Sequence, residues 1–325
     1  MNNSQEPLVS IGIPTYNRCQ LLERALTSIQ NQNYKNFEII ISDNASPDET
    51  EVQCRKWAES DQRIQYFRQK EGINFIYNFD FVQKKATGKY FMWLADDDWL
   101  GENVIEKYVQ FLEENTDYSV VSGQILNLRD DKIHLIEPDY TFEETSAARR
   151  VLRSFQTMHY CGMYYGLMRG DCIKKIPLKR IMLHDWLVLG GLASLGKVKT
   201  FDFPGYYKKL DGMSGDFLIR YSRAVGASKF ETNFTHFSIA SHIFRDILFN
   251  RKVYSNIFFP KRIIVAFRSF WAVVRRYYVI PIRESKSKQK GFARKVSRPF
   301  KDTIRHTFVF KFLKNIKTTT SRLFS

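Results

Sequence analysis

An α/β fold built on a mainly parallel sheet, with helices on both faces, is predicted by three observations. Short β-rich runs alternate with helix-spaced segments over the first 125 residues, at the spacing of strand–helix–strand units. The runs are almost wholly apolar, as strands covered on both faces are. The chain of 325 residues is long enough to bury a full core and still carry a second, smaller unit.

Taken in order, residues 8–13 read as a buried strand, followed by Pro14-Thr15-Tyr16-Asn17-Arg18 as a turn. Leu21, Leu22, Ala25, Leu26 and Ile29 then fall on one helical face. Residues 37–41 form a second strand. Ser46 as N-cap, Pro47 at the first helical position and Glu49 closing a capping box open the next helix. Residues 64–67 and 90–94 are further strands, with a helix around 79–86 between them. After Ser122 the rhythm loosens to a strand at 164–168, a helix at about 186–195 and a strand at 198–201. From about residue 220 almost everything is helical, rich in aromatic and basic residues. There is no internal repeat and no low-complexity linker. The composition changes once, which divides the chain into residues 1–225 and a basic helical region, 226–325.

The charge sits in that second region. The chain carries +16, yet residues 251–325 hold 20 lysines and arginines against two acids. The remainder is slightly acidic. Such asymmetry assigns any anionic partner, nucleic acid or membrane, to the tail alone. The polar start (MNNSQEP) does not read as a secretory signal. Cys19, Cys54, Cys161 and Cys172 show no metal-binding spacing and read as free thiols. No apolar run is long enough to span a bilayer.

Unusual residues cluster at strand ends, where open α/β sheets bind ligands. The turn after the first strand (PTYN) can offer backbone groups to a nucleobase. The second strand ends in Asp43, whose carboxylate can accept the N3–H of uracil or thymine, or can cap the following helix. Residues 90–100 (YFMWLADDDWL) place Asp96, Asp97 and Asp98 directly after a fully apolar strand. Three adjacent carboxylates repel one another and nothing in folding requires them. A divalent cation shared with substrate phosphates explains them; the alternative is a solvated acidic turn before the helix near Glu102. Downstream, Asp185 in the segment LHDWL is either a catalytic carboxylate or a helix N-cap.

These segments, in this order, resemble glycosyltransferase family 2. Pro14, Thr15, Tyr16 and Asn17 match its opening turn. DNASPD (residues 43–48) is similar to its D-D-G-S-x-D segment, with Asp43 at the base-contacting position and Asn44 and Ala45 replacing Asp and Gly. Asp96, Asp97 and Asp98 fall in the D-x-D region, with Ala95 where the first Asp is usual. The resemblance implies that Asp96 serves the nucleotide and that Asp97 and Asp98 serve the metal. Arg68 lies where relatives often carry a basic nucleotide contact. Asp185 falls at the catalytic base, and Lys208 stands where a diphosphate-binding arginine is commoner. The resemblance covers roughly residues 8–215. It implies a GT-A fold and an inverting, metal-dependent glycosyltransferase using Mn²⁺ or Mg²⁺. The donor would be a UDP- or dTDP-type nucleotide sugar and the acceptor a glycan or lipid-linked hydroxyl of surface-polysaccharide assembly. His159, Cys161 and Tyr165 lie where an acceptor pocket would form, though a core role is the simpler reading.

In the tail, Lys261-Arg262, Arg268 and Arg275-Arg276 recur every seven residues and form one basic helical stripe beside Phe267, Phe270 and Trp271. Arg294, Arg298, Lys301 and Arg305 repeat it. Basic amphipathic helices with Trp and Phe are the mark of segments lying on an anionic membrane surface. The expectation is therefore a cytoplasmic enzyme attached peripherally to the inner face of the cell membrane, with a helix packed on protein as the alternative. A nucleic-acid-binding protein is the rival class, disfavoured by the acidic character of residues 1–250. A sugar nucleotidyltransferase is disfavoured because the Gly-rich pyrophosphate loop is missing. Oligomeric state is not legible.

Overall fold

The computed structural model describes residues 6–210 and 217–280. The first half runs β1 (Val9–Thr15), α1 (Cys19–Gln30), β2 (Phe37–Asp43), α2 (Thr50–Ser60), β3 (Ile64–Arg68), α3 (Phe75–Lys85), β4 (Tyr90–Trp93), β5 (Trp99–Leu100) and α4 (Val104–Glu114). Then come β6 (Tyr118–Arg129), β7 (Lys132–Ile136), α5 (Ala147–Thr157), β8 (Leu167–Arg169), α6 (Gly170–Ile173), α7 (His184–Leu195) and β9 (Lys197–Lys209). The C-terminal helices are α8 (Phe217–Val225), α9 (Lys229–Asn233), α10 (Thr235–Phe249), α11 (Arg251–Tyr254) and α12 (Phe259–Val274). Contacts divide the chain into units 1–275 and 276–325, and of the second only residues 276–280 are described. Residues 211–214 of the loop after Lys208, and the stripe from Arg294 to Arg305, lie outside the described residues.

One sheet runs in the order β3-β2-β1-β4-β8-β6-β9-β5, with β7 paired to β6. The first four strands are parallel to one another, and β1 and β2 are buried along their whole length, as the apolar runs require. The second half is mixed. Strand β8 is antiparallel to both β4 and β6, whereas β6 and β9 run parallel over most of their length. That pairing brings Gly123 against Gly205: a Cβ on Gly123 would lie 2.6 Å from the carbonyl oxygen of Phe203, so only glycine permits the approach.

Local departures from the sequence reading have identifiable causes. Helix α2 starts at Thr50, three residues later than a Ser46 cap would start it. The Ser46 hydroxyl instead donates to Asp43 Oδ1 (2.5 Å) and accepts from the Asn17 amide (2.8 Å). Helix α3 begins earlier than expected because the Asn74 side chain accepts from the Ile76 amide (3.0 Å) and caps it. The segment at 164–168 is a tight helical turn (Gly162–Tyr165) followed by the short β8.

Helix α12 has two faces. Arg262, Val265, Ala266, Ser269, Val273 and Val274 are buried, at helical spacing. They lie against α10 and α5, while Phe270 packs its edge on Phe237 (5.6 Å between centroids). The basic stripe read from the sequence therefore divides. Lys261, Arg268 and Arg275 are exposed, and Arg262 turns inward, only 8% exposed. The outward face also carries Ile263, Ile264, Phe267 and Trp271. Among the described residues no helix is long and apolar enough to cross a membrane.

This orientation is checked by two neighbouring substitutions. Val265→Asp buries a charge and is expected to lower unfolding free energy by about 3 kcal/mol or more, whereas Ile264→Asp is expected to change it by about 0.5 kcal/mol or less. Denaturant melts of the two variants decide it.

Candidate active site

Strand register assembles the site. Thr15 pairs with Asp43 and Asp43 with Arg68, so the ends of β1, β2 and β3 lie side by side. Strand β4 pairs with β1 on its other side and delivers the acidic triplet to the same edge. The chain order reverses between β1 and β4, which makes this edge the ligand crevice of an open α/β sheet.

The three aspartates diverge, which relieves their repulsion. Asp96 Oδ2 accepts from the Thr15 hydroxyl (2.7 Å) and the Tyr16 amide (3.3 Å). Buried Asp98 accepts from the Tyr206 hydroxyl (2.9 Å) and the Lys209 amide (2.8 Å) and so fastens the triplet to β9. Asp97, between them, meets the Arg18 guanidinium at 2.7 Å. Burial first, then repulsion from Asp97, pushes both Asp96 and Asp98 up to about 7. Among the described residues no three acidic, histidine or cysteine side chains converge as a cation cage. Asp97 is part-buried, and its carboxylate meets the solvent-accessible Arg18 side chain, whereas those of Asp96 and Asp98 are taken up by Thr15, Tyr16, Tyr206 and Lys209. That suits a hard divalent ion, which takes one or two carboxylates and completes its shell with substrate phosphates.

Asp43 is wholly buried, and its carboxylate is filled within the protein. Oδ1 accepts from the amide and hydroxyl of Ser46 (2.9 and 2.5 Å), Oδ2 from the Tyr66 hydroxyl and Arg68 Nη1 (both 2.7 Å). Arg68 also donates to the Ser46 carbonyl (3.0 Å) and meets Glu51 at 3.1 Å. Ala45, standing in for the family's glycine, keeps the left-handed backbone glycine would adopt (φ 60°). Asn17 is also left-handed (φ 55°), and Tyr16 is exposed. Pro14 lies in β1 opposite Ser42 and has no N–H to donate.

On the other side of the crevice, Leu183 adopts a left-handed conformation (φ 57°) just before α7. It turns His184 inward between the hydroxyls of Tyr164 and Tyr221 (both 3.3 Å). Burial lowers the His184 pKa, so the ring is neutral. Asp185 is half-buried at the head of the helix, and its Oδ1 accepts from the Trp186 amide (3.0 Å). The Cys161 thiol donates to Asp185; burial, then the Asp185 charge, keeps it protonated. Lys208 lies in the fields of Asp98 and the buried Glu137, with Nζ 5.9 Å from the Tyr165 ring. Tyr165, stacked on Tyr206 at 4.8 Å, feels Asp97, Asp98 and Asp185 together, and so joins the two sides. Sequence reasoning did not single out Arg18, Tyr66, Glu137, Tyr206 or Tyr221. Only Arg18, directly after the PTYN turn, carried a signal. His159 is exposed.

A crevice at the switch point of such a sheet, faced by an acidic loop, is the arrangement of a GT-A type fold. The profile of Glycosyl transferase family 2 matches residues 10–176, just over half of the chain. The chain belongs to that family. It is similar to an uncharacterized glycosyltransferase of Rickettsia typhi, 30% identical over 56% of this chain and 55% of that protein. It is also similar to the GalNAc(5)-diNAcBac-PP-undecaprenol beta-1,3-glucosyltransferase of Campylobacter jejuni, 38% identical over 37% of this chain and 38% of that one. The matches thus span about half or less of these relatives' own lengths. Among solved structures, S. aureus TarS 1-349 in complex with UDP-GlcNAc aligns at TM-score 0.52 and 17% identity over 82% of both chains. The mannosyltransferase PcManGT of Pyrobaculum calidifontis, in complex with GDP-Man and Mn²⁺, aligns at 0.51 and 16% over 92% of this chain and 83% of that one.

Asp98 gives the ligand-free protein a pH signature. Its carboxyl rises from an ordinary 3.8 to about 7 on folding, so the native state holds the proton more tightly than the unfolded one. The contribution of Asp98 to stability is therefore full in acid and is lost as pH rises from about 4 towards 7. Asp98→Asn is expected to flatten that decline, measured as unfolding midpoints across the pH range.

Proposed function

We propose that the chain is an inverting glycosyltransferase that moves a sugar from a UDP- or dTDP-type donor to an acceptor hydroxyl. The observation that carries this reading is that Tyr165 feels the charge of both Asp97 on the acidic loop and Asp185 at the head of α7, carboxylates from separate parts of the chain. In the step, the acceptor oxygen bonds to the anomeric carbon while the bond from that carbon to the diphosphate breaks. The electron pair leaves with the nucleoside diphosphate, and the hydroxyl proton passes to Asp185. Lys208 offsets charge growing on the diphosphate. A divalent cation, Mn²⁺ or Mg²⁺, would be held by Asp97, with Asp98 fixing the loop, and would supply further positive charge at the leaving group. Thr15, Tyr16 and Asn17, with Asp96, line the nucleotide end. Asp43 serves there indirectly, by holding Ser46 and Arg68. A lipid-linked acceptor is supported by the Campylobacter jejuni relative, whose name includes PP-undecaprenol.

Two substitutions separate the roles. Asp185→Asn is expected to lower turnover by about 10² to 10⁴ with donor affinity unchanged. Asp97→Asn is expected to abolish the Mn²⁺ dependence of UDP binding in a calorimetric titration. A loss of nucleotide affinity in Asp185→Asn, or unaltered metal dependence in Asp97→Asn, contradicts the assignment.

The partner of the C-terminal helices is the anionic inner surface of the cell membrane, to which the cytoplasmic enzyme attaches peripherally. Support comes from the outward face of α12, where Ile264 and Phe267 are about half exposed and Trp271 is 40% exposed beside Lys261 and Arg268. Residues 251–280 contain seven bases and no acid. Each base near an anionic surface contributes about 1 kcal/mol, screened by salt, whereas the apolar contribution is not screened. The full chain is expected to sediment with anionic vesicles, and Ile264→Ser with Trp271→Ser to release it at high salt. A chain that ignores vesicles but changes oligomeric state in that double variant packs through this face on protein instead.

A further inference from the structure

We infer that Arg18 and a divalent cation compete for Asp97, and that the displaced guanidinium is retained by the donor's diphosphate. The inference rests on the reading of Asp97 as the cation's ligand.

Four observations carry it. Asp96 and Asp98 are held by protein donors on either side, which leaves Asp97 as the carboxylate of the triplet open to exchange. Arg18 Nη1 stands 2.7 Å from Asp97 Oδ2, so it occupies that oxygen. The two side chains are 45% and 27% exposed, so solvent reaches the pair. The arginine is anchored only at its backbone: the Arg18 carbonyl accepts from the Leu21 and Leu22 amides (both 3.0 Å), and the preceding Asn17 amide is bonded to Ser46. Its head group is not locked as that of Arg68 is, which has bonds to Asp43, Ser46 and Glu51.

The chemistry favours exchange over simple competition. A half-exposed ion pair is weak, so an ion with two charges displaces it at little cost. A nucleoside diphosphate held at Asp97 through that ion brings phosphate oxygens to the arginine's side of the loop. A planar guanidinium with five donors matches phosphate in two-point bonds better than it matches one carboxylate oxygen. Before the donor enters, Arg18 keeps the triplet's negative charge covered; afterwards it shares the diphosphate with Lys208 from the opposite side.

The test is binding rather than turnover. Free Mn²⁺ is followed by electron paramagnetic resonance and UDP by calorimetry, on the full chain, with thermal melts to check folding. Arg18→Gln is expected to bind Mn²⁺ alone about two- to fivefold more tightly and to bind UDP with Mn²⁺ about tenfold more weakly. Arg18→Lys keeps the charge but not the fork, and should fall between in UDP affinity while leaving Mn²⁺ affinity near that of the parent. If Arg18→Gln alters neither affinity, or weakens Mn²⁺ and UDP alike, the exchange is overturned and the arginine is a surface or structural contact. If the unaltered chain binds no Mn²⁺ with or without UDP, the reading of Asp97 fails first and this inference with it.

Discussion

Asp98 ties the two halves of the sheet together at the crevice. It is contributed by the loop after β4, in the parallel half, and it is held by Tyr206 and Lys209 of β9, in the mixed half. Tyr206 closes the link by accepting from the Ala95 amide (3.1 Å), and Trp99 stacks on Tyr207 one residue along (5.3 Å). A buried carboxylate tolerates this position only because both oxygens are hydrogen-bonded. Asp97 is presented on one side of this link and Lys208 on the other. The link acts together with the pairing of β5 on β9, which begins at the residue after Asp98, to fix the acidic loop against that strand.

The parallel half of the sheet was legible because its strands are buried on both faces and therefore appear as continuous apolar runs at regular spacing. The acidic triplet was legible for the opposite reason, since three adjacent like charges have no use in a fold. Strand β6 was not read as a strand, and β9 was read only over residues 198–201. Their pairing is non-local and shifts register at Gly123 and Gly205, so neither period nor turn chemistry marks where they end. Ser46 shows how a local signal is overridden: its capping pattern is sound, yet the buried Asp43 competes for the same hydroxyl. Of the residues around Asp185, Cys161 and Tyr165 carried an ambiguous signal and Tyr221 none, because it comes from a distant segment and an isolated tyrosine reads as core.

The last helix of the first unit shows why a hydrophobic pattern can support two readings. Helix α12 is apolar almost all round and carries no acid. One side buries Val265, Ala266 and Val273 against neighbouring helices; the other leaves Ile264, Phe267 and Trp271 in contact with solvent. A stripe drawn from charge spacing alone joins Arg262 to Arg268, although packing separates them. Burial of one face is what gives the other a fixed outline.

Leu183 sits in the left-handed region at φ 57°, where a non-glycine residue is disfavoured by roughly 1–2 kcal/mol. That twist sends His184 into the aromatic cluster and leaves Asp185 facing the crevice. A glycine would relieve the strain, but it would also widen the range of directions open to the first turn of α7. Heat resistance and aim are thus opposed at this one position. A lineage adapting to higher temperature would gain less here than the backbone strain suggests, because the same distortion sets the direction of the first turn of α7, where Asp185 stands.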